Sequence, residues 1–166
     1  MNKLIIRVSV VLFISGLISC GFHLRGDFKL PAQMETTYIK AVDKNTELVR
    51  VLKRALKTSN IKIVDTQQQA QAVLNISNEK QERRILSVDT QGRAREYEIN
   101  YQISFSVGTD ENSFLIAEQT INLQRDYLFD AEDVLAKSRE QETLLKDMQQ
   151  DMVRLIMSRL QAAAGK

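Results

Sequence analysis

Cysteine, histidine and proline each occur once in this sequence, and each scarcity removes a class of function. A single thiol forbids an intramolecular disulfide, so stability has to come from the core. The only histidine, His23, lies three residues from the only cysteine, Cys20. Ser-His and Cys-His nucleophile systems therefore lack parts. No HExxH, no cysteine-histidine metal spacing and no glycine-rich phosphate loop occurs, so no catalytic residue, metal or cofactor is expected. Glu96 and Glu98 fall on the polar positions of a strand, where solvated charge is the default reading. One proline and six glycines argue against disorder through most of the chain, and there is no internal repeat.

An excess of one charge is also missing. The 166 residues carry 23 Lys and Arg against 21 Asp and Glu. Long apolar runs are confined to the N-terminus, where the sequence is most informative. Lys3 and Arg7 form a positive region, Val8 to Ile18 are mostly apolar, and Leu17-Ile18-Ser19-Cys20 reads as a lipobox. The apolar stretch is too short to span a bilayer. The competing reading is an ordinary secretory peptide ending near a cysteine, but leucine, a small residue and cysteine all fall at lipobox offsets. Residues 1–19 are thus expected to be a lipoprotein signal peptide that is removed, leaving Cys20 as the site of acylation. Gly21 rather than aspartate follows Cys20, so the usual inner-membrane retention signal is absent and the expected location is the outer membrane, facing the periplasm. Three acyl chains exceed the two-signal requirement for stable anchoring in the inner leaflet of that membrane.

Removing 19 of the 166 residues leaves 147, enough for one domain with its own core. Lys3 and Arg7 leave with the signal and no acid does, so 21 basic residues then face 21 acidic ones. Nucleic-acid binding is not expected from so balanced a chain. Any basic function must come from a local patch.

Residues 20–35 read as an acylated tether and residues 36–166 as a single domain. Thr36 to Val42 is a predicted strand. Thr46 is positioned to cap a helix over Glu47 to Thr58, where Leu48, Val51, Leu52, Ala55 and Leu56 recur at helical spacing. Ser59-Asn60 ends it before a short strand, Ile61 to Val64, and such a unit normally makes parallel strands. From Arg95 to Val107 the odd positions are apolar and the even ones polar after Arg95, a half-buried strand with one wet face. Ala72, Leu74 and Ile76 alternate inward before it, Asn78 to Arg84 are polar on both faces, and Leu86 and Val88 are expected to resume the pattern. Asp89 to Gly92 supplies a turn, with Gly92 free to take a positive φ. Gly108 to Ser113 is a second turn, and Leu115, Ala117, Ile121 and Leu123 are expected to share one face of a further strand.

Asp130 and Asp133 resemble a capping box that opens a long helix. Its predicted buried stripe is Leu145, Met148, Met152, Leu155, Ile156 and Leu160, whereas Lys137 to Glu142 has no apolar residue. The fold class is α+β: a two-layer α/β sandwich whose mixed sheet combines a β-α-β unit with an antiparallel meander, both helices lying on one face.

Basic residues gather near the first turn. Pairing about Asp89 to Gly92 would bring Arg84 near Arg95 and Tyr97, with Arg93 and Arg95 beyond the apolar positions. Arginine forks suit phosphate oxygens, so this tip is a candidate for a phosphorylated lipid head group or acidic partner residues. Spacing alone favours a solvated turn partly neutralised by Glu82, Asp89 and Glu96. Lys137 and Arg139 pose the same choice near the helix start.

Cys20-Gly21-Phe22-His23-Leu24-Arg25, the Gly92 hairpin running into Arg95-Glu96-Tyr97, and Leu135-Ala136-Lys137 before Glu140-Gln141 together resemble the LPS-assembly lipoprotein family, LptE, also called RlpB. The resemblance covers nearly the whole mature chain in element order, and CGFHLR is its most specific piece. It implies a non-enzymatic subunit of the lipopolysaccharide translocon. Such a subunit plugs and helps assemble an LptD-type outer-membrane β-barrel, one to one, and binds lipopolysaccharide. Lys137 matches the lysine of the family's helix-start motif, so lipopolysaccharide contact is carried to it. Arg93 and Arg95 have no residue-by-residue match and are assigned from the basic tip. A polar barrel lumen suits a charged plug. The alternative is a lipoprotein adaptor of another envelope system such as phospholipid transport; an enzyme acting on envelope lipids ranks third.

Overall fold

The computed structural model describes residues 28–110, 113–129 and 134–164, with the backbone alone for residues 110 and 134–138. Cys20, the signal segment, the tether through residue 27 and the Asp130/Asp133 pair lie outside the described residues. Phe28 to Glu35, expected in the tether, instead belong to the packed body. Phe28 and Leu30 lie against the core and Met34 is wholly buried. Thr37 fixes this entry by donating its hydroxyl to the Met34 carbonyl at 2.6 Å.

Strand β1 (Thr36–Ala41) leads into helix α1 (Glu47–Thr58). The cap is Thr46, whose Oγ1 accepts the Val49 N–H at 3.3 Å, with Glu47 and Lys57 placed to favour the helix dipole at either end. Asn60 ends the helix at φ 62°, the Ile61 N–H donating to the Leu56 carbonyl at 3.0 Å. A left-handed residue here satisfies carbonyls that the helix leaves open. Leu48, Val49, Leu52 and Leu56 form the buried stripe. Strand β2 (Lys62–Val64) then pairs parallel with β1.

Three long strands follow: β3 (Ala72–Val88), β4 (Ala94–Asp110) and β5 (Ser113–Leu128). β3 runs parallel to β1 and antiparallel to β4, and β4 antiparallel to β5, giving the order β2-β1-β3-β4-β5. Helix α2 (Val134–Ala164) closes the fold. One core joins α1, α2 and the odd positions Ile99 to Val107 of β4. This is the expected two-layer sandwich on a mixed sheet.

Irregularities of register correct the expectations for β3 and β5, and the phase of a helical stripe corrects one in α2. In β3, Ser77 faces Ser104 but the next pair is Lys80 with Gln102, and Asn78 takes φ 50°. A bulge adds a residue and so exchanges the two faces. Leu86 and Val88, expected inward, are exposed, a second shift falling between Ile85 and Ser87. The same shifts set Arg84 opposite Glu98, beside the Ile85–Tyr97 pair as expected but away from Arg95. In β5 the step from Phe105–Gln119 to Val107–Ile116 buries Ile116 and exposes Ala117, although Leu115 still lies against the core. In α2, Leu155 is exposed while Val153 and Met157 are buried. At about 100° per residue Leu155 lies about 150° around the helix from the midpoint of Val153 and Leu160.

Candidate functional site

Beyond Asn78 the β3–β4 hairpin becomes a ribbon in which every β3 residue from Asn78 to Leu86 is exposed. Its turn is built by Asp89. The Asp89 carboxylate accepts the N–H groups of Gln91 and Arg93, each at 2.9 Å, and Gly92 takes φ 77° as the turn requires. These bonds and the Arg93 guanidinium, which donates to Asp89 Oδ2 at 2.8 Å, hold the Asp89 carboxyl below the usual carboxylate range. Arg93 is thus exposed but already paired. Arg95 is exposed and makes no side-chain hydrogen bond or ion pair among the described residues. Its carbonyl accepts the Phe129 N–H at 2.8 Å, tying the ribbon to the end of β5.

On the helix-facing side of the ribbon, aromatic rings replace aliphatic packing. Tyr97 stacks on Tyr127 at 5.6 Å between centroids and meets Phe129 edge-on at 5.4 Å. The Arg83 guanidinium lies 4.5 Å over the Tyr97 ring. Arg83 and the Tyr127 hydroxyl both donate to Gln141 Oε1 on α2, at 3.0 and 2.8 Å. The lack of apolar residues predicts a helix start that is exposed or touches something other than its own core, and Gln141 does meet its own sheet, through polar bonds. Lys137 lies on α2 one turn before Gln141, and its side chain is outside the described residues. Strand alternation puts Arg95 on the face of Tyr97, so the free guanidinium and the Lys137 turn belong to the same end of the molecule. Arg93 belongs to the tip beyond them.

The opposite side of the ribbon holds a clamp. Glu98 is nearly fully buried although it sits on the polar face, and it accepts from both Arg84 of β3 and Gln124 of β5. Ser87 adds a bond to Glu96 at 2.7 Å. Deeper in the sheet, the Tyr101 hydroxyl donates to Glu79 at 2.7 Å, and burial first, then this carboxylate, pushes its pKa far above the ordinary phenol value. Arg84 and Glu98 are not recognisable as partners from spacing, because the Asn78 bulge that aligns them breaks the alternation. The arrangement offers fixed donors and an Arg95 guanidinium unpaired among the described residues to an anionic ligand or an acidic surface.

A two-layer α+β sandwich that projects a polar, basic-tipped ribbon beside the start of a long helix defines a binding module. The LptE model, described as Lipopolysaccharide-assembly, matches residues 34–160, and the chain belongs to this family. The LPS-assembly lipoprotein LptE of Pectobacterium atrosepticum is 27% identical over 164 residues, covering 95% of this chain and 86% of that relative. The crystal structure of rare lipoprotein B from Shewanella oneidensis is 31% identical with a TM-score of 0.66, covering 76% of this chain and 94% of its own. A solution structure of a lipoprotein B from Nitrosomonas europaea is 36% identical with a TM-score of 0.69, covering 86% and 91%. The chain is a lipoprotein-family member of lipopolysaccharide assembly.

Proposed function

We propose that this protein is an outer-membrane lipoprotein, acylated at Cys20, that plugs and helps assemble an LptD-type β-barrel one to one and binds lipopolysaccharide as the lipid enters the outer leaflet. It acts by binding and positioning, not by catalysis. The observation that carries the reading is the Gln141 junction. By accepting from Arg83 and Tyr127, it joins the ribbon bearing Arg95 to the helix turn bearing Lys137. Two cationic positions, on two elements instead of one flexible loop, are then at the same end of the molecule for a phosphorylated head group. Family membership supports the assignment of the ligand and the barrel.

Arg95 is the stronger candidate of the two arginines, because Arg93 is held by Asp89. Lipopolysaccharide binding by the full chain tests this. Lys137→Asp and Arg95→Glu are each expected to weaken binding several-fold, and Arg93→Glu less, in line with about 1.5–3 kcal/mol for a hydrogen bond to a charged group, reduced by exposure. Unchanged affinity for both Lys137→Asp and Arg95→Glu would retire the lipid site. Purification from membranes tests the rest: recovery without a large β-barrel would end the plug assignment.

A further inference from the structure

The outer face of the sheet carries a groove of about 520 Å³ at the end opposite the ribbon tip. Its floor is two transverse rows set by the strand register. One row is Lys40, Asn75 and Ser106, and the other is Val73, Gly108 and Phe114. Gly108 has no side chain, so the floor drops between Val73 and the ring of Phe114. Elsewhere on this face polar side chains satisfy one another: Ser104 bonds Thr120 at 3.0 Å, Ser87 bonds Glu96, and Arg84 and Gln124 enclose Glu98. In the groove they do not. Lys40, Asn75 and Ser106 make no side-chain hydrogen bond or ion pair among the described residues, although Ser106 is only 6% exposed. Such a hydroxyl is normally partnered, and here its open direction is the groove.

The geometry points to a binding site for a phosphorylated saccharide. An amide and a hydroxyl suit sugar hydroxyls, the exposed Phe114 ring offers a face to the apolar C–H side of a pyranose, and Lys40 supplies a point charge for phosphate. Among the described residues no carboxylate lines the groove to repel that phosphate, and its volume falls in the ~300–1,000 Å³ range of small-molecule sites. The class of ligand follows from the lining. Its source, the oligosaccharide of lipopolysaccharide, rests on the function proposed above.

The chain contains four tyrosines but no tryptophan, so Phe114→Trp creates a single, selectively excitable indole that keeps an aromatic face at an exposed position. The full acylated chain, held in lauryldimethylamine oxide micelles that carry neither sugar nor phosphate, is titrated with deacylated, phosphorylated core oligosaccharide. A saturable change in emission is expected, about tenfold weaker for phosphatase-treated oligosaccharide and for the added Lys40→Glu change, and absent for inorganic phosphate alone. No response, equal responses with and without phosphate on the sugar, a response that inorganic phosphate or an unrelated peptide reproduces, or indifference to Lys40→Glu would each overturn the site. Loss of the groove response in a chain whose lipopolysaccharide affinity still depends on Lys137 overturns the groove and leaves the proposed function standing.

Discussion

The β3–β4 hairpin is one pair of strands with two ways of being held. Below the Asn78 bulge, Leu74 and Ile76 lie with Phe105 and Val107 in the core, wholly or almost wholly buried. Above it, Lys80 to Arg84 are exposed, and the ribbon is fixed by the Glu98 clamp, the Tyr97–Tyr127 stack and the Gln141 bonds. The lower half keeps its register because slipping by one residue would turn its apolar side chains to water. The upper half lacks that penalty on β3, so specific polar pairs have to set its register. A ribbon held in this way presents charge to a partner without unfolding when the partner is absent.

The sharpest way to break the comparison is to remove one large side chain below the bulge. Phe105→Ala is expected to cost about 3–5 kcal/mol of global stability in chemical denaturation, because Phe105 is fully buried and the site cannot collapse around five strands. Arg84→Ala above the bulge should cost about 1–2 kcal/mol. It leaves the buried Glu98 carboxylate with Gln124 as its remaining partner, but the arginine itself is 65% exposed and the pair is partly screened. Glu98→Gln should cost less, since an amide can still meet Gln124. If Arg84→Ala proved as costly as Phe105→Ala, the two halves would be one cooperative core and the distinction would fail.

Gln141→Ala comes next, at about 0.5–1.5 kcal/mol, the value of a typical hydrogen bond. Its more telling effect is local. Hydrogen exchange should speed up in the first turns of α2 and in β5 near Tyr127 while the C-terminal half of α2 keeps its protection, because Met152, Ile156 and Leu160 remain buried. Equal acceleration along all of α2 would mean that the junction is not a separate element.

How much of this was legible in the sequence follows the same division. Where one face is buried, alternation and helical spacing read correctly: Glu47 to Thr58 with its Thr46 cap, the odd positions of β4 and the Gly92 turn all appear as expected. Where the chain departs from its period, the reading failed. In the polar run around Asn78 only the asparagine itself hints at a positive φ, and simple alternation ignores it, so spacing puts Leu86 and Val88 on the wrong face and reads Glu98 as solvated charge. Ala117 and Leu155 depart from spacing for different reasons, a register shift in one case and the phase of a helical stripe in the other. Of the candidate site, the sequence offers Lys137 through a motif and Arg93 and Arg95 through pairing about the turn, and both remain proposals. Arg83 over Tyr97 and the groove behind the sheet depend on register, which spacing cannot supply.

The smallest expected effect concerns the tip, where the ribbon has neither core nor clamp. Asp89 is bonded by the backbone of Gln91 and Arg93 and by the Arg93 side chain, and its folded pKa is depressed. The sign follows from linkage. The unfolded chain binds a proton at higher pH than the folded one, so the stabilisation is fully present above the ordinary aspartate pKa and is lost as pH falls through the depressed folded value. Acidification below the ordinary value should therefore free the amides of Gln91 and Arg93 first, visible as line broadening confined to Asp89 to Arg93 while core amides stay sharp. Asp89→Asn should remove that pH dependence and release the Arg93 guanidinium. If Arg93 is held back from lipopolysaccharide by its pairing, Asp89→Asn should strengthen binding slightly, and Arg93→Glu should then weaken it by more than it does in the unmodified turn. Equal effects of Arg93→Glu in both backgrounds would show that the Asp89 pair does not decide which arginine meets the ligand.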